Sequence, residues 1–110
     1  MTREKTFALT LAFCVGFVGA AHAQSFSDVL GRTLTNEQGS VVIQSNGTLS
    51  GTLGGQTLRG TWDVVDGLFC RQGSLGTQTI ERACQTVRMG GNTISFVNSD
   101  GQVSSRYDIN

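Results

Sequence analysis

GTWDVVDGLFCR, residues Gly60 to Arg71, sets β-branched and aromatic residues on both sides of Asp66-Gly67. Aspartate followed by glycine tolerates the positive φ angles of a tight turn, so the stretch reads as strand, turn, strand. Working outward, the same punctuation returns at Asn46-Gly47, Gly54-Gly55, Gly76, Gly90-Gly91 and Asp100-Gly101. The intervening runs predict eight strands, near 32–36, 41–45, 48–53, 56–64, 68–75, 79–89, 92–98 and 102–109. Only Ser25 to Gly31 reads as a short helical turn, with Ser27 or Asp28 as its cap.

Register follows from the rule that opposed residues of an antiparallel pair share a face, so their numbers keep a constant sum. A three-residue loop at Ser45-Asn46-Gly47 sets Ile43 opposite Leu49 and Val41 opposite Gly51, whereas a two-residue turn would oppose Ile43 with Ser50. The same loop length at Val65-Asp66-Gly67 sets Val64 against Leu68 and Trp62 against Cys70. A two-residue turn at Gly54-Gly55 continues the face through Leu53, Leu58 and Trp62. If Gly76-Thr77-Gln78 is the next loop, Cys70 and Cys84 are symmetric about Thr77 and form a cross-strand disulfide beside Trp62. Closing a loop of about 15 residues stabilises a small domain by roughly 3 kcal/mol in the chain-entropy picture.

Eight sequential antiparallel strands with short connections are expected to form an up-and-down meander that closes into a small lipocalin-like barrel, removing its edges. An incompletely closed sheet covered by the N-terminal turn is the alternative. The inward set mixes Trp62, Leu49, Leu58 and Ile43 with Gly51 and Gly60, so the barrel is expected to be filled largely by its own side chains. An eight-stranded barrel can be packed or hold one small ligand, and the pattern does not separate these.

Residues 1–23 read as a signal peptide: Arg3 and Lys5, an apolar run from Phe7 to Gly19 too short to span a bilayer, then Ala21-His22-Ala23. A lipoprotein reading would use Cys14, but Phe13 stands where that processing wants a small residue. Cleavage after Ala23 leaves residues 24–110 as one domain in the periplasm or outside the cell. It removes Lys5 and His22, the only lysine and the only histidine, and leaves six arginines against seven carboxylates. With no basic cluster, nucleic acid is not an expected partner, and no further apolar run is long enough for a membrane span. Leu, Ile, Val and Phe supply about a quarter of residues 24–110, above the ~20% below which chains tend to stay disordered. A folded monomer is expected.

Loss of the histidine and lysine excludes a Ser-His-Asp or lysine-assisted serine site. Two cysteines without histidine cannot complete a zinc site, and Asp63, Asp66, Glu81, Asp100 and Asp108 do not fall into a calcium-loop spacing, so no metal or cofactor is expected. Asp63 should point to solvent and Asp66 should form a turn. Trp62 reads as core, with a ligand-facing role as its alternative. Arg71 and Arg82 read as a solvated surface pair that could contact an anion or a protein. Asn46-Gly47-Thr48 matches a glycosylation acceptor, although the hairpin already explains it.

GTWDVVDGLFCR, with CQTV beginning at Cys84, resembles a family of small exported bacterial proteins patterned G-T-W, D-G, aromatic-Cys-Arg and a later Cys. The resemblance covers Gly51 to Tyr107 and implies a compact β domain with one disulfide. Some of its members carry the label dihydrodipicolinate reductase; this chain has no dinucleotide-binding βαβ unit, no histidine pair and about a third of that enzyme's length. The expected function is therefore a non-enzymatic exported barrel that binds a small ligand or a partner protein. A carboxylate-dependent hydrolase using Asp63 and Glu81 is the alternative.

Overall fold

The computed structural model describes residues 25–110; the expected signal peptide, its cleavage after Ala23 and Cys14 lie outside the described residues. A 3₁₀ turn at Phe26–Val29 precedes eight strands: β1 (Thr33–Asn36), β2 (Gly39–Ile43), β3 (Thr48–Leu53), β4 (Gln56–Val65), β5 (Leu68–Leu75), β6 (Gln78–Gly90), β7 (Thr93–Val97) and β8 (Val103–Ile109). Each strand pairs antiparallel with the next, and β8 returns to β1, so the meander closes into a barrel. The closure is narrow: Leu34 pairs with Ile109 and Thr35 with Asp108.

The β2–β3 hairpin has the expected register, Ile43 opposite Leu49 and Val41 opposite Gly51. Gly47 takes φ 93°, and the Asn46 carboxamide oxygen accepts from the Thr48 amide at 3.1 Å and the Thr48 hydroxyl at 2.7 Å. Because the turn begins at Gln44, β2 ends two residues before the expected edge and starts earlier, at Gly39. The Gly54-Gly55 turn is two residues long, as expected, with Leu53 opposite Gln56.

Two other turn lengths differ from expectation. Asp66-Gly67 is a two-residue turn with both residues at positive φ, 53° and 79°, and Val65 lies opposite Leu68. Positive φ at both central residues matches the twist of paired strands, and aspartate is among the few side chains that tolerate it. Removing one loop residue exchanges the faces of β5 relative to β4: Trp62 opposes Arg71, not Cys70, and Val64 opposes Phe69, not Leu68. Gly76-Thr77 is likewise a two-residue turn, with Leu75 opposite Gln78 rather than the three-residue loop expected.

That shorter turn alone would misalign the cysteines by one residue. A β-bulge between Arg71 and Gly73 inserts the missing position, because Glu81 and Arg82 together face Gln72. Cys70 and Cys84 are thereby opposed and bonded. The bridge lies on the outer wall with Asp63, the register partner of Cys70, and not beside Trp62 on the inner face.

Leu34, Ile43, Ile94 and Ile109 of the buried core lie toward the end of the barrel that carries the 44–47, 66–67 and 91–92 turns. The 3₁₀ turn plugs this end: Val29 is fully buried and the Gly31 amide bonds the Ile43 carbonyl at 2.8 Å. Ser25, rather than Ser27 or Asp28, stands at the cap position, and its amide donates to the Asp28 carboxylate at 3.0 Å. Val64, Val65 and Leu68 stay exposed around the β4–β5 turn.

Replacing both Cys70 and Cys84 with serine is expected to remove roughly 3 kcal/mol and lower Tm by on the order of 10–20 °C in calorimetry, because the cross-link restricts the unfolded chain. Asp66→Gly should be close to neutral in denaturant unfolding, whereas Asp66→Val should cost about 1–2 kcal/mol, since a β-branched residue resists positive φ.

Candidate functional site

Alternation along β4 and β5 sends Leu58, Gly60 and Trp62 inward from one strand and Phe69, Arg71 and Gly73 inward from the next. Gly60 and Gly73 oppose each other, and a Cβ on either would strike a backbone carbonyl of the other strand, Gln72 for Gly60 and Arg59 for Gly73. The paired backbones pass too close for any side chain, so the interior is hollow there. The result is a cavity of about 230 Å³ bordered by Val41, Leu49, Leu58, Phe69, Phe96 and Tyr107, among others.

Gln38, Leu53, Ile80 and Ser104 also line it, and the meander places all four toward the end that carries the 37–38, 54–55, 76–77 and 98–102 turns. This end lies opposite the 3₁₀ plug. Just outside, the short β1–β8 pairing leaves a recess lined by Asn36, Glu37, Gln38, Ser104, Ser105 and Arg106. Gln38, Ser104, Ser105 and Tyr107 border both spaces, so the cavity meets the surface at this seam.

Arg71 and Arg82, read from sequence as a surface pair, diverge. Arg82 lies on the outer wall, where it meets Asp63 at 3.0 Å and the Gln72 carboxamide oxygen at 2.7 Å, while Gln72 donates to the Thr61 hydroxyl at 2.7 Å. Arg71 borders the cavity, half-buried. Its Nη1 donates to the Glu81 carbonyl at 2.9 Å, a backbone acceptor within the bulge. No carboxylate among the described residues forms an ion pair with it. Gln85, buried opposite Phe69, donates from Nε2 to the Asn98 carboxamide oxygen at 2.9 Å.

Trp62 takes its place in an aromatic column that runs from the plug to the cavity. Phe26 meets Trp62 edge-on at 5.4 Å, Trp62 stacks on Phe69 at 5.8 Å, and Phe69 reaches Phe96 at 5.0 Å, which touches Tyr107 at 6.2 Å. The indole Nε1 donates to the Gln44 carbonyl at 2.8 Å. Asp66 forms its turn, and neither Asp63 nor Glu81 lines the cavity. Among the described residues no group of histidine, cysteine and carboxylate side chains is arranged to hold a metal ion.

Reading from sequence missed Tyr107 and the inward direction of Arg71. Burial pushes the Tyr107 phenol above its ordinary value, while the Ser105 hydroxyl and the Arg71 guanidinium pull it partly back. Tyr107 is the only tyrosine, so an ultraviolet pH titration reads it alone. Its absorbance change should come above the usual phenol range near 10, and Arg71→Met should move it higher still. Because the raised group keeps its proton in the fold, its contribution to stability is complete below the unfolded value and is lost as pH rises through the folded one.

No protein-family model matches the chain, and comparisons with characterised proteins and with solved structures find no match.

Proposed function

We propose that this chain is an exported, non-enzymatic barrel of the periplasm that binds a small molecule in its interior. The observation that carries the reading is the cavity itself, about 230 Å³ of space with apolar walls and a few polar groups at its open end. Such concave, mostly apolar sites are where small ligands are held. Its volume lies below the ~300–1,000 Å³ of drug-sized pockets, which favours a compact ligand over a long lipid.

Export is supported by the basic start, short apolar run and Ala21-His22-Ala23 of the N-terminal sequence, and by a disulfide, the bond an oxidising compartment preserves. A binding role is favoured over hydrolysis by residues 25–110 lacking histidine and lysine and by the outer-wall position of Asp63 in its pair with Arg82. Glu81, like Asp63, does not line the cavity.

A native mass spectrum of the protein purified gently from its envelope fraction should show residues 24–110 less two hydrogens, with an added small mass that leaves on activation. Leu53→Trp, which fills the cavity from its rim, should reduce the loaded fraction at least about tenfold without lowering Tm. A bare protein in both preparations would overturn the small-ligand reading.

A further inference from the structure

The cavity is one-sided in charge. Arg71 is the charged side chain turned into it; Arg59 lies between inward Leu58 and Gly60, so its side chain faces the outer wall while its backbone carbonyl crowds Gly73, and no aspartate or glutamate borders the cavity. This does not follow from composition, since residues 24–110 carry seven carboxylates against six arginines. The fold has sorted them: Asp63 faces the outer wall and Asp66 the β4–β5 turn, while Arg71 is turned inward.

Arg71 is also held in place. The bulge that aligns the cysteines presents the Glu81 carbonyl to its Nη1 at 2.9 Å, which fixes the guanidinium at the cavity and occupies one of its five N–H donors. A half-buried guanidinium with a backbone acceptor but no ion-pair partner is poorly compensated. A planar carboxylate matches its fork of donors and would supply the missing charge. The cavity that Arg71 borders has hydrocarbon walls from Leu58, Phe69 and Phe96.

We propose that the barrel selects small apolar monocarboxylates, with Arg71 receiving the acid group and the Leu58, Phe69 and Phe96 walls receiving the hydrocarbon. The inference rests on the reading of the barrel as a small-molecule binder and names the class of molecule. Entry is through the seam beside Ser104 and Ser105, whose hydroxyl groups stand at the mouth. The recess outside this mouth carries Glu37 and Asp108 as well as Arg106, so the acid group is received by Arg71 inside the cavity and not by the mouth.

Octanoate and 1-octanol share a hydrocarbon chain and differ in charge, so they separate the two parts of the site. Titration of the disulfide-bonded protein with each, followed by calorimetry and by fluorescence of Trp62, the only tryptophan, should give octanoate an affinity higher by about 10-fold to about 100-fold, the usual effect of a charge-assisted hydrogen bond. Arg71→Gln should abolish the preference while leaving octanol affinity unchanged, and Arg82→Gln, on the outer wall, should preserve it. Equal affinity for the two probes would overturn acid selection and leave the small-molecule reading standing. Binding of neither would overturn both. If Arg71→Gln fails to fold, as judged by its circular dichroism, the ratio in the unsubstituted protein still decides.

Discussion

The bulge at Gln72, where Glu81 and Arg82 share one position of the opposing strand, is the constraint on which the rest of the structure depends. Without this extra residue, the two-residue turn at Gly76-Thr77 would leave Cys70 one position out of line with Cys84. With it, the cysteines meet, Ala83 faces Arg71 on the inside, and Arg82 is delivered to the outside against Asp63 and Gln72. A bulge also leaves backbone groups outside the regular ladder, and here one of them, the Glu81 carbonyl, anchors Arg71. The covalent staple and the interior cation therefore have a common origin.

The barrel is packed at one end and hollow at the other for reasons that lie in its side-chain volumes. From the plugged end Phe26, Trp62, Phe69 and Phe96 stack through the interior toward the cavity, each in offset or edge contact with the next. Further along, the inward positions of β4 and β5 are Gly60 and Gly73, where backbone crowding forbids a Cβ, before Leu58 and Leu75 close in toward the open end. The missing side chains leave a volume whose polar border includes Arg71, Gln85 and Tyr107. Polar groups therefore collect where the core is thinnest and the desolvation penalty smallest. The short β1–β8 seam opens beside them, giving the half-buried polar groups access to the surface.

Much of this was legible in the chain. The eight strands, their sequential pairing and the Cys70–Cys84 bridge follow from turn residues and from sums of residue numbers, and Ile43 does oppose Leu49. Leu49, Leu58 and Ile43 are core, as their spacing implied. The faces of β5 were not legible. A three-residue loop at Asp66-Gly67 gave the correct strands with the wrong side of β5 facing in, so Cys70 was expected beside Trp62 and Arg71 on the surface. The disulfide was nevertheless found, because a second one-residue difference in turn length was offset by the bulge.

The sequence by itself determined what is local: where the chain turns, which runs are extended and which strands are neighbours in a meander, because glycine, asparagine and aspartate tolerate positive φ where other residues resist it. Only the tertiary structure decided which side of each wall a residue occupies. Side chains alternate with a period of two, so a single residue in a turn or bulge exchanges interior for exterior along a whole strand. Asp66 and Gly67 are compatible with either loop length; packing Phe69 between Trp62 and Phe96 is compatible with one. That choice seals the aromatic interior, and the same step carries Arg71 into the cavity.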